Sequence, residues 1–227
     1  MNKHIFKTSM MAVALLLCTG TAQAVVTELA VNGDFETGDL TGWTIFDNTN
    51  ASNGGVISVT SPGSAGAFAG NTNGNSDPSG PGTAGPNNPA MKQANVGIGL
   101  LTPGQAVTVS FDWKVTESSF GNVFAALQSE QAGGGASQTD IILGGAVSTS
   151  GWTNVSTTIN IGPDVAEGIS LELVAICGGE VGCQSNIFWD NISITADVAA
   201  VPVPAAAWLF GSGLLGLIGV ARRKKAA

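Results

Sequence analysis

Tyrosine is absent from the 227 residues, and the single histidine is His4. Charged residues make up only 11% of the chain, and just eight are basic. Each shortage excludes a class of chemistry. Residues 1–24 read as a cleaved leader, so the mature chain retains no imidazole. That removes His-based triads, imidazole general bases and ordinary zinc sites. No Gly-x-Ser-x-Gly elbow is present, and the sixteen acids form no pair that spacing marks as a glycosidase centre. The chain is therefore read as a non-enzyme, with no catalytic residue assigned. All sixteen acids lie between Glu28 and Asp197, where only Lys92 and Lys114 oppose them, so this stretch carries −14. Such a surface repels phosphate backbones, which excludes nucleic-acid binding.

What the sequence does hold is glycine, 32 residues and about twice the usual share of roughly 7%. Together with 44% hydrophobic content this favours a packed core built from short strands and turns. The clearest strand is 106–116. Val107, Val109, Phe111, Trp113 and Val115 alternate there with small or polar residues, which predicts one buried and one wet face. Further strands are expected at 28–32, 43–47, 55–60, 91–98, 122–128, 139–143, 152–161, 169–176 and 187–195. With no convincing amphipathic helix, the domain 25–198 is expected to be an all-β antiparallel sandwich. Residues 70–90 hold no Val, Ile, Leu, Met, Phe or Trp apart from their glycines, prolines and polar neighbours, and read as a mobile surface loop.

The two ends read as addresses. Lys3 and Lys7, the apolar run Met10–Leu17 and the small residues Ala22 and Ala24 form a secretory signal peptide, cleaved after Ala24. Ala205–Ala221 is uncharged and just long enough to cross a thin membrane as a helix, with Trp208 near its outer end. Arg222, Arg223, Lys224 and Lys225 follow it in the tail 222–227 and hold that end inside, leaving the acidic domain outside. The Gly211-Ser-Gly-Leu-Leu-Gly216 match to a dinucleotide fingerprint fails, since no strand precedes it. After export, Cys177 and Cys183 are expected to form a disulfide across a glycine-rich loop.

The C-terminal segment 199–227 resembles the PEP-CTERM sorting signal: Val201-Pro202-Val203-Pro204, then the apolar span, then the basic tail. It departs from the family pattern at Val203, where Glu often stands. The resemblance implies a Gram-negative bacterium and an inner-membrane precursor facing the periplasm. An exosortase would process that precursor for the cell surface or an exopolysaccharide matrix. A second resemblance spans residues 28–196. Asn32-Gly-Asp-Phe-Glu36, Gly42-Trp43, Gln93, Leu101-Thr-Pro-Gly104, Gly151-Trp152 and Trp189-Asp-Asn-Ile-Ser193 together are similar to galactose-binding-like, carbohydrate-binding jelly rolls.

Asp190 alternates in phase with Phe188, Ile192 and Ile194, and a carboxylate on a core-facing row needs a partner. Calcium suits it, because a hard cation prefers oxygen ligands. The jelly-roll resemblance implies the same structural ion between Glu36 and Asp190, with Gly33 or Asp34 adding a carbonyl. A β-bulge that turns Asp190 outward, or backbone N–H groups capping it, are the other readings of the residue. Trp189 falls on the outward row and is the candidate platform for a sugar ring. The resulting expectation is an exported surface or matrix protein with a structural or weakly glycan-binding domain. A dedicated carbohydrate-binding module, a polysaccharide-active enzyme and an adhesive or ice-binding surface protein stay open beside it.

Overall fold

The computed structural model describes residues 24–46, 55–75, 88–177, 182–199 and Phe210. Two compact units are distinguished, 26–198 and the chain ends 1–25 with 199–227. Apart from Ala24, Val25, Ala199 and Phe210, the second unit lies outside the described residues. So do the signal peptide up to Gln23, the Val201–Pro204 motif, Trp208, the tail Arg222–Lys225 and nearly all of the expected span 205–221. Among the described residues, no helix is long and apolar enough to cross a membrane.

Among the described residues eleven strands follow one another: β1 (Ala24–Glu28), β2 (Thr44–Phe46), β3 (Val56–Thr60), β4 (Ala69–Asn75), β5 (Ala90–Val96), β6 (Ala106–Ser119), β7 (Asn122–Glu130), β8 (Ala136–Gly145), β9 (Thr153–Asn160), β10 (Ile169–Ile176) and β11 (Gln184–Ala199). They build two antiparallel sheets. One has the order β3-β4-β11-β6-β9, with β1 also paired to β11. The other has the order β2-β5-β10-β7-β8. The all-β sandwich expected from the sequence is the fold observed.

Alternation on β6 is as anticipated: Val107, Val109, Phe111 and Val115 are fully buried, and Trp113 packs against the same core. Met91, Leu171, Leu173, Ile187 and Ile194 join them between the sheets. Each such side chain contributes roughly 1.5–3 kcal/mol when removed from water. The disulfide between Cys177 and Cys183 is formed, and both cysteines are buried.

Three expectations are corrected. The strand expected at 28–32 lies earlier, at 24–28, because Asn32 and Phe35 adopt positive φ and bend the chain into a turn. That turn drops Phe35 into the core, stacked on Trp43 at 5.5 Å, while the Trp43 indole N–H donates to the Asn32 carbonyl. Residues 70–75, expected in a loop, form most of β4, a strand inside the six-stranded sheet. Its polar sequence hides this, because neighbours supply what its side chains lack. The Phe35 ring fills the space above Gly70, and Thr72 accepts the buried Trp189 N–H at 2.9 Å. The third correction concerns β11. Its register against β6 shifts between Asp190 and Ser193, and Asn191 has φ of 49°. This bulge reverses the alternation, so Ile187 and Trp189 face the core before it, and Ile192 and Ile194 after it.

Candidate functional site

The bulge decides the fate of both candidate residues on β11. Trp189 is 0% exposed, edge-on to Phe111 and stacked on Trp113. It is a core residue and no platform for a sugar. Asp190 lies on the opposite side of the strand from Trp189, yet it is only 1% exposed, because segment 61–68 covers it. Its Oδ2 accepts the Ser64 N–H at 2.6 Å and its Oδ1 the Asn191 N–H at 2.8 Å. Burial raises its pKa above the ordinary carboxylate value, and these donors only partly offset that.

Glu36 holds the far end of the same segment, accepting the Phe68 N–H at 2.9 Å. A Cβ added to Gly63 would meet the Phe68 carbonyl oxygen at 2.2 Å and Asp190 Oδ2 at 2.7 Å, and one on Gly66 would meet Glu36 Oε1. The two glycines therefore let one loop lie directly on both carboxylates. The Phe68 carbonyl and the Asp190 carboxylate come close together at Gly63, and among the described residues no group of three or more His, Cys, Asp or Glu side chains is placed to hold a metal ion. The Gly33 carbonyl accepts the Ile192 N–H at 2.9 Å, and Asp34 Oδ1 accepts the Glu36 N–H at 3.3 Å. Beside Asp190, its cross-strand neighbour Asp112 loses hydration on partial burial. Hydrogen bonds from Ser64, Asn191 and Asn154 outweigh that and hold its pKa below the usual range.

The other sheet carries a surface of a different kind. On its outer face, away from the core, cross-strand register lines up Phe46, Ala90, Val174, Phe124 and Leu143 in one row over all five strands. At about 4.8 Å per strand this apolar row is roughly 19 Å long. Two residues along, Thr44, Lys92, Glu172, Ala126 and Asp140 form a second row, and beyond it stand Ser170, Gln128 and Gln138. A bulge in β8 between Asp140 and Ile142 keeps Asp140 and Leu143 on the same face. Phe46 is 48% exposed and Leu143 65%. The apolar row floors a groove of about 850 Å³ whose wall adds Ile45, Asn88, Glu172 and Ile176.

The polar side chains are held ready by one another. Lys92 reaches Glu130 at 2.8 Å and Gln128 at 3.1 Å. Gln128 donates to Glu172 at 2.8 Å and to Gln138 at 3.3 Å, and Gln138 donates to Asp140 at 2.7 Å. Burial works against the Glu130 carboxylate, but Lys92, Ser170 and the Asn95 N–H outweigh it and lower its pKa. Donors and acceptors with locked positions lose little freedom when a ligand arrives.

None of these groove residues was a candidate from the sequence. Phe46 and Phe124 stand in strands that were expected there, but which face each ring takes depends on partners elsewhere in the chain. The signal was the alternation of Phe124 and Gln128 with Val123, Ala125 and Leu127, all three core-facing.

A two-sheet antiparallel sandwich with an open, partly apolar and partly hydrogen-bonding sheet face defines a β-sandwich binding module. Residues 27–175 match the family described as carbohydrate binding domain, and the chain belongs to that family. No curated protein matches the chain. Among solved structures, it is similar to the N-terminal CBM22 tandem domain of Paenibacillus barcinonensis Xyn10C. Identity there is 14%, over 82% of this chain and 48% of that one, with a TM-score of 0.51. A second similar structure comes from carbohydrate-binding modules of the β-sandwich superfamily, at 17% identity, 78% and 63% coverage and a TM-score of 0.50. A third, TmCBM61 in complex with β-1,4-galactotriose, shares 18% identity over 75% of this chain and 99% of that one, with a TM-score of 0.46. At such identities the first two likenesses establish the fold alone. Of the readings left open by the sequence, the family supports a dedicated carbohydrate-binding module over a purely structural role.

Proposed function

We propose that the protein is an exported glycan-binding module that holds a neutral polysaccharide along the groove of the five-stranded sheet. The observation that carries this reading is the pairing of rows. Phe46 and Phe124 offer flat apolar faces to the C–H side of sugar rings, with Lys92 and Glu172 two residues along the strands and Gln128 and Gln138 four residues along to bond hydroxyls. Glu130, Glu172 and Asp140 outnumber Lys92 on this face, which favours a neutral chain over a uronate. Phe124→Ala is expected to weaken binding to a neutral polysaccharide at least tenfold by isothermal titration, with the folded state retained by circular dichroism. Unchanged binding in a folded Phe124→Ala would overturn the groove assignment.

Two further parts belong to this reading. Glu36 and Asp190, which hold the two ends of segment 61–68 through its Phe68 and Ser64 N–H groups, bind a structural calcium that fastens the segment to the sandwich. Export through residues 1–24 and sorting through 199–227 by an exosortase deliver the domain to the cell surface or matrix, where its polysaccharide is found.

A further inference from the structure

The outer face of the six-stranded sheet is built mainly of small polar side chains. Thr108 and Ser110 of β6 lie opposite Thr158 and Ser156 of β9, and Asn71 of β4 lies opposite Ser58 of β3. One place breaks the pattern. Phe188 of β11 pairs with Lys114 of β6, and the register that sets Trp113 opposite Thr153 brings Trp152 beside Lys114. The Lys114 ammonium lies 4.7 Å from the centre of the Trp152 ring and 4.9 Å from that of Phe188, and the rings meet at 79°. All three side chains are half-buried, so each keeps a surface open to solvent. The rings attract the cation from its inner side. Among the described residues, however, Lys114 forms no ion pair and its ammonium finds no oxygen acceptor, although the domain sets sixteen acids against two lysines.

Acceptors stand next to this open donor. Two residues along β6 and β9 are Asp112 and Asn154, and segment 61–68 closes that edge through Ser64, whose O–H donates to Asp112 at 2.7 Å. Asn154 and Asn191 both donate side-chain N–H groups to the same carboxylate at 2.8 Å. Both asparagines are exposed, and their amide oxygens accept no bond among the described residues. Rings, an ammonium and two amide oxygens thus meet at one corner, and a sugar matches them with its C–H face and its hydroxyls. Lys114 and Asp112 balance each other there, which favours a neutral sugar over a uronate. We propose that this corner is a second glycan site, on the side of the sandwich opposite the groove. A sugar ring packs on Trp152 and Phe188, its hydroxyls accept from Lys114 and donate to the Asn154 and Asn191 amide oxygens. The site stands on this geometry and on the carbohydrate-binding family of the chain. Its consequence, that one module bridges two polysaccharide chains, rests also on the groove reading.

The test is isothermal titration of the full-length protein with the β-1,4-linked hexasaccharides of glucose, xylose and galactose. A sugar that binds is expected to fill two sites per chain. Trp152→Ala is expected to leave one, and so is Lys114→Met, which keeps a side chain of similar length over the rings and guards against a misfolded tryptophan variant. Phe124→Ala is expected to leave the other, and Phe124→Ala with Lys114→Met to leave none. A single site abolished by Phe124→Ala and untouched by Trp152→Ala and Lys114→Met overturns the second site and keeps the groove. Two sites that neither Trp152→Ala nor Lys114→Met alters overturn it as well, and a lowered melting temperature in those variants would then show the cluster to be a brace for the sheet. A single site abolished by Lys114→Met and untouched by Phe124→Ala keeps the second site and overturns the groove, and the bridge with it. Binding of none of the three sugars overturns both.

Discussion

At the scale of single residues, neighbours in sequence have opposite fates. Trp189 and Asp190 are both buried, one by the core and one by a loop that crosses the outside of the sheet. An aromatic ring on an apparently outward row is a weak pointer to a binding platform, because a single extra residue in the strand sends it inward. Asp190 is the more consequential of the two. A carboxylate with both oxygens bonded by backbone N–H groups fastens the chain even without an ion, and an ion bound only by the folded state adds further stability. Full-length protein melted in millimolar calcium is expected to unfold several degrees higher than in excess chelator, and Asp190→Ala to abolish that difference while lowering the melt in chelator as well. A wild-type melting temperature indifferent to calcium would remove the ion and leave Glu36 and Asp190 as capped carboxylates.

At the scale of elements, the informative ones are those whose sequences misrepresent them. β4 carries no large apolar side chain, yet it sits inside the six-stranded sheet because Phe35, Trp189 and Ile187 come to it from elsewhere. β11 looks like one continuous alternating strand and is two segments of opposite phase joined at Asn191. The turn around Asn32–Glu36 docks at that junction, where Gly33 exchanges a backbone hydrogen bond with Ile192. A Cβ on Gly33 would lie 1.9 Å from the Ile192 carbonyl oxygen, a backbone atom that cannot swing aside. Gly33→Ala is therefore expected to cost roughly 2 kcal/mol, seen as a melting temperature lower by about 4–8 °C. A shift under about 1 °C would show that the turn and β11 part easily and that their contact does not hold the fold.

At the scale of the whole molecule, charge and the two chain ends bear on the role proposed for the groove. With −14 between Glu28 and Asp197, the domain repels polyanions and depends on contacts that are mostly uncharged. Placed in a Gram-negative host that carries an exosortase, the chain is expected to lose its C-terminal segment, and deletion of Val201–Pro204 to leave it full length in the membrane fraction. Recovery of intact wild-type chain from such a host would remove the sorting signal from the reading. Composition and local pattern alone determined the all-β class, the face assignment of β6 and the Cys177–Cys183 bridge. These follow from period-two burial, from a short loop between cysteines and from which residue types are present, all properties of near neighbours in the chain. The groove was decided only by tertiary structure. Phe46, Ala90, Val174, Phe124 and Leu143 come from five strands spread between residues 46 and 174, and they form a row solely because cross-strand register aligns them. The phase of β11 was decided there as well, since a bulge is placed by what must pack on either side of it, and that partner surface is assembled from distant segments.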